Sequence, residues 1–133
     1  MIVDPSALIA IVFDEPEAPA CANAINAAPH RRMSAAGLLE AGIVVDRTPM
    51  SARRFDTFLR TLEIEIQPVT GRQARIAREA YRDFGKKRGN SAKLNFGDCF
   101  SYALAKDLNE PLLFVGDDFS KTDVKNALAG DYL

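Results

Sequence analysis

A chain of 133 residues has the size of one ordinary domain, able to bury roughly two thirds of its unfolded surface, so a single domain over 1–133 is expected. Its 47% hydrophobic content and its 17 Lys and Arg against 18 Asp and Glu are ordinary for a soluble globular protein and name no partner. No run reaches the ~20 apolar residues of a membrane span, and the start Met1-Ile2-Val3-Asp4 lacks the features of a secretion signal. Two cysteines and one histidine cannot build a disulfide framework or a structural zinc site, so a cytoplasmic protein with reduced thiols is expected.

Ile2-Val3-Asp4 is a short apolar run stopped by Pro5, and Ser6 is placed to cap a helix through Ala7 to Phe13. A second helix is predicted from Ala18 to Ala28. Ser34 caps a third through Leu38, Leu39, Ile43 and Val44, and Pro49 separates it from a fourth over Ser51 to Leu62. Ile64 to Val69 alternates as a half-buried strand does, and a helix follows from Thr70 to Phe84. The basic, Gly- and Asn-containing stretch from Gly85 to Lys93 reads as an exposed loop before a mostly apolar helix from Phe96 to Leu108. Pro111 opens a strand through Leu112-Leu113-Phe114-Val115, which ends at Gly116-Asp117-Asp118; the tail beyond Phe119 is too mixed to assign. Strands alternating with helices predict an α/β fold, a central parallel sheet with helices on both faces, whose ligands bind outside the carboxyl ends of the strands.

That rule singles out Asp4, Asp117 and Asp118. Glu40 joins them as the only charged side chain between Arg32 and Asp46; it must sit at a rim, be neutral, or face a cation, because an unpaired buried carboxylate costs several kcal/mol. Asp98 falls at the third helical position after the N-cap residue Asn95. There an acid has a purely structural use, satisfying free N–H groups and the helix dipole for about 0.3 to 1 kcal/mol. What favours chemistry is the set: carboxylates at the ends of core elements repel one another unless cations bind. All-oxygen clusters suit magnesium or manganese, which activate water and stabilise the leaving oxygen of a phosphodiester. The lone His30 supports no Cys/His or Ser/His pairing, and there is no Gly-rich phosphate loop.

Met1-Ile2-Val3-Asp4-Pro5-Ser6-Ala7-Leu8, Glu40, Leu94-Asn95-Phe96-Gly97-Asp98-Cys99 and Leu112-Leu113-Phe114-Val115-Gly116-Asp117-Asp118-Phe119 together resemble the acidic motifs of the PIN domains, and within them of the VapC-type toxins of toxin–antitoxin operons. The resemblance covers nearly the whole chain. It implies a magnesium-dependent endoribonuclease that leaves 5′-phosphate and 3′-hydroxyl ends, pairs with a VapB-like antitoxin and forms a homodimer. Residue by residue, it implies that Asp4 and Asp98 are the principal metal ligands, that Glu40 and either Asp117 or Asp118 complete the acidic pocket, and that Ser6 and Asn95 position them. Pro5 departs from the family pattern, in which Thr or Ser usually follows the first Asp, and removes a hydroxyl and a backbone donor.

A ribonuclease also needs positive charge for phosphate. At 100° per residue Arg72, Arg75, Arg78 and Arg82 share one helix face, and Lys86, Lys87, Arg88 and Lys93 carry the charge toward Asn95 and Asp98. The bland alternative is a solvated face partly neutralised by Glu79 and Asp83. Two other functions stay open on the sequence: a PIN nuclease in RNA processing, and a non-catalytic RNA- or protein-binding module.

Overall fold

The computed structural model describes residues 1–87 and 89–129. Four short parallel strands form one sheet in the order β3-β2-β1-β4, where β1 is Ile2–Val3, β2 Arg32–Ser34, β3 Glu65–Gln67 and β4 Leu112–Leu113. Ile2 pairs with Arg32 on one side and Leu112 on the other, and Arg32, Met33 and Ser34 pair with Glu65, Ile66 and Gln67. Beyond β4, Asn126 forms an isolated parallel bridge to Leu112 and so occupies the outer edge.

Among the described residues, six helices wrap the sheet: α1 Pro5–Val12, α2 Ala18–Ala27, α3 Ala35–Val45, α4 Pro49–Thr61, α5 Gly71–Phe84 and α6 Phe96–Leu108. Strand alternation divides the core. Val3, Met33 and Leu113 face α1 to α4, where they pack with Leu8, Ile25 and Phe55, while Ile2 and Leu112 face α5 and α6 and pack with Leu94, Tyr102 and Leu104. The helices therefore cover both faces, as the alternation of elements predicts.

Local chemistry explains most helix starts. Ser34, Thr48, Thr70 and Asn95 each accept a backbone N–H in the first turn of α3, α4, α5 and α6. The start of α1 corrects the sequence reading: the cap is Asp4, whose carboxylate accepts the Ser6 N–H, and Ser6 lies inside the helix. Pro5 occupies the first helical position, where its missing N–H would have had no intrahelical acceptor. A Cβ at Gly37 would stand 3.3 Å from the Pro5 ring, so the glycine lets α3 approach the start of α1 closely. No described helix is long and apolar enough to cross a membrane.

Candidate active site

The strand order reverses direction at β1: the chain moves outward to β2 and β3, then crosses back to add β4 on the other side. Such a switch point opens a crevice beyond the carboxyl ends of the two central strands. Asp4 follows β1 at this crevice and is buried. Its Oδ2 accepts the Ser6 N–H at 3.0 Å and the Ser6 hydroxyl at 2.6 Å. The Ser6 Oγ in turn accepts the Val115 N–H at 3.0 Å, and the Asp4 N–H donates to the Leu113 carbonyl at 2.9 Å. Ser6 thus ties the exits of β1 and β4 together around Asp4.

Asp98 approaches from the other side on the first turn of α6. Its Oδ2 accepts the Asn95 N–H at 3.0 Å, while its own N–H donates to the Asn95 Oδ1 at 2.8 Å. This reciprocal capping box is the structural use foreseen for an acid there, and it fixes the side chain. The second oxygen, Oδ1, lies outside that box.

Burial and neighbouring charge act together on three of the acids. Burial raises the Asp4 carboxyl above its usual range; hydrogen bonds from Ser101 and Ser6 oppose the rise, and the Asp118 charge adds to it. Burial also pushes Asp98 up to about 7, against the pull of the Asn95 N–H and helped by the charges of Asp4 and Asp118 and by a side-chain contact with Asp118. Glu40 is half-buried on α3 and is raised by burial first and by Asp4 second. Its carboxylate lies against Gly97, where an added Cβ would meet Oε2 at 2.1 Å. Among the described residues, no Lys or Arg forms an ion pair with Asp4, Glu40, Asp98 or Asp118.

Both adjacent aspartates are exposed, but Asp118 is the one whose charge acts on Asp4 and Asp98, whereas the Asp117 carbonyl accepts from the Ser120 N–H and hydroxyl. Gly116, at φ +99°, makes the turn that separates them from β4. Ser101 and Gly97 escaped the sequence reading. Ser101 is buried one turn beyond Asp98, and that i to i+3 spacing was the signal for a shared helix face. Gly97 carries no signal without knowledge of which side chain arrives opposite it.

The donor set is entirely carboxylate, which fits a hard divalent cation better than zinc or copper. Among the described residues, no three or more His, Cys, Asp or Glu side chains are grouped so as to hold a metal ion together. Magnesium tolerates this, since it keeps several waters and takes one or two carboxylates plus substrate phosphate.

The basic residues divide. Helix α5 runs antiparallel to α6, and Arg72 donates to Asp107 at 2.6 Å, near the far end of α6 from Asp98. Arg75 lies beside Gly71, while Arg78 lines a cleft with Phe96, Cys99 and Phe100 at the Asp98 end. Arg82, Lys86, Lys87 and Lys93 are exposed; Lys87 donates to the Arg82 carbonyl and Lys93 to the Asn90 carbonyl at 3.2 Å. Arg88 lies outside the described residues.

The profile of the PIN domain matches residues 1–125. The chain is 55% identical over 130 residues to ribonuclease VapC28 of Mycobacterium tuberculosis, an alignment covering 96% of this chain and 98% of the relative. It superposes on the crystal structure of M. tuberculosis VapC20, described as a sarcin-ricin loop cleaving toxin, with a TM-score of 0.72 at 17% identity over 92% of this chain and 95% of that one. A toxin–antitoxin complex from Klebsiella pneumoniae matches with a TM-score of 0.69 at 18% identity, covering 92% of each chain. At these identities the two solved structures speak for the fold.

Proposed function

Because the chain belongs to the PIN-domain family, among its VapC ribonucleases, we propose that it is the toxin of a toxin–antitoxin pair and hydrolyses RNA phosphodiester bonds with magnesium bound at Asp4 and Asp98. The observation that carries this reading is the convergence of Asp4, Glu40, Asp98 and Asp118, from four separate stretches of chain, on one crevice with no basic side chain paired to them.

A bound divalent ion would supply positive charge to the phosphate and lower the pKa of the attacking water. The protein's part is placement. Ser6 and Asn95 each occupy Oδ2 of one acid, which orients the remaining oxygens toward the crevice. Glu40, raised above the usual carboxylate range, is suited to accept a proton from water. Asp118 stands at the open side and completes the negative field, and the exposed Arg78, Arg82 and Lys86 bind backbone phosphates. An acidic crevice of this kind is a physically sound target for an Arg side chain of a VapB-like antitoxin, and the assembly we propose is a homodimer inhibited in that way.

The test is cleavage of total cellular RNA by purified protein with magnesium, with EDTA, and with Asp4→Asn and Asp98→Asn variants of verified fold. Magnesium-dependent cutting lost in both variants is expected. Cutting that survives EDTA or both substitutions would refute the site.

A further inference from the structure

Phe96 is the first residue of α6 and is 78% exposed, an unusual position for a phenylalanine two residues from a buried acid. Its ring is not loose. It meets Phe100 edge-on, with centroids 5.1 Å apart and planes at 87°, so one rim is braced and a face is left to solvent. Across the cleft between α5 and α6 stands Tyr81, 39% exposed. A Cβ at Gly85 would meet the Tyr81 ring at 2.5 Å, so this glycine is the space into which the tyrosine ring settles. Between the rings, Ala77 and Cys99 form an apolar floor, and the Arg78 guanidinium stem lines the edge. The cleft encloses about 250 Å³, below the ~300–1,000 Å³ of a typical small-molecule site and suited to one flat ring.

We infer that this cleft is a base-binding subsite: it takes one unstacked nucleobase of the substrate RNA, on Phe96, while Arg78 holds the adjoining phosphate. The inference rests on the ribonuclease reading and extends it to how the strand is held. Aromatic platforms beside cationic side chains are how single-stranded nucleic acid is gripped, since every base presents a π-face and every linkage a negative charge. Charge selects this occupant over an apolar protein segment. Arg78 lines the cleft, and Arg82, one turn further along α5, is exposed, so positive charge stands where a phosphate backbone would lie. Placement agrees: Gly97 and Asp98 directly follow Phe96, so a base seated there brings its phosphate to the mouth of the acidic crevice. Both rings are braced before any ligand arrives, which lowers the ordering cost of binding.

The experiment uses a single-stranded RNA oligonucleotide carrying 2-aminopurine at successive positions, bound by the chain in an Asp4→Asn background that prevents cleavage. Stacking on Phe96 quenches the probe at one position, and Phe96→Ala is expected to abolish that quenching and weaken binding about 5- to 100-fold. Phe96→Trp retains both. Arg78→Gln keeps the quenching but lowers the slope of log affinity against log salt by about one contact. Because Phe96 is exposed, the alanine variant keeps its fold, verified by an unchanged melting temperature.

Unchanged affinity and quenching in Phe96→Ala would overturn the inference. So would a change of sedimentation coefficient with RNA affinity per protomer intact, which would make the face a protein contact. If the chain cleaves RNA and Phe96→Ala is silent, only the subsite falls; if the parent chain neither binds nor cleaves RNA, the ribonuclease reading falls with it.

Discussion

Replacing Asp98 by Asn should stabilise the metal-free protein, and by an amount that grows with pH. The folded-state carboxyl sits near 7, against 3.8 for the free group, raised first by burial and then by the neighbouring acids. Between those two values the native state holds a proton that the unfolded state has released. Stability therefore falls as pH rises through that window and is flat on either side of it. A shift of about three units corresponds to roughly 4 kcal/mol at 1.36 per unit, and sharing of the proton between Asp98 and Asp4 reduces this to about 2 to 4 kcal/mol. Asparagine retains an oxygen to accept the Asn95 N–H, so the cap at the head of α6 survives the substitution. At about 3 to 6 °C per kcal/mol for a domain of this size, the variant should melt roughly 6 to 24 °C above the parent at pH 8 in EDTA and level with it near pH 4. Saturating magnesium should close the gap at pH 8 by stabilising the parent alone. The assay is thermal denaturation of both proteins across pH 4 to 9. A difference independent of pH, or a parent that gains on the variant as pH rises without metal, would refute the account of a self-repelling carboxylate cluster.

Gly97→Ala inserts a methyl where the Glu40 carboxylate rests; the helix gains up to about 1 kcal/mol of propensity, so the melting temperature should hold or rise while RNA cleavage drops at least tenfold. Retained activity in that variant would mean that the position of Glu40 is immaterial. Asp118→Asn should lower cleavage by about 10- to 100-fold and Asp117→Asn by less than about threefold in the same gel assay, because only the former shares charge with Asp4 and Asp98. The reverse ranking would place the wrong aspartate in the crevice.

Elements with strong local signals were legible before folding: α6 begins at Phe96 and ends at Leu108 as its cap and apolar content predict. The strand β2 was not, because Arg32-Met33-Ser34 is three residues with no alternation and becomes a strand only by lying between β1 and β3. Ser34 was read as a helix cap, which it is, while its place at the end of a strand went unseen. On α3, Leu39 and Ile43 signal a helix by spacing yet are 67% and 68% exposed, so the apolar pattern there does not mark the core. For the site, Asp4 and Asp98 follow from motif and position. The choice between Asp117 and Asp118 depends on how a turn at positive φ aims two neighbours, which no spacing encodes. The basic stripe of α5 was visible as a face, but Arg72 belongs to Asp107 through antiparallel packing, a tertiary fact.

The hydrogen bond from the Val115 N–H to the Ser6 hydroxyl joins residues 109 apart in sequence. Asp4 precedes every described helix in the chain, and Asp118 follows all of them. Without β4 the crevice has no far wall: the Ser6 hydroxyl lacks the Val115 N–H, the Asp4 N–H lacks the Leu113 carbonyl, and only the local bonds between Ser6 and Asp4 are left. The acidic crevice is therefore a product of long-range closure, complete only where the exits of β1 and β4 have met.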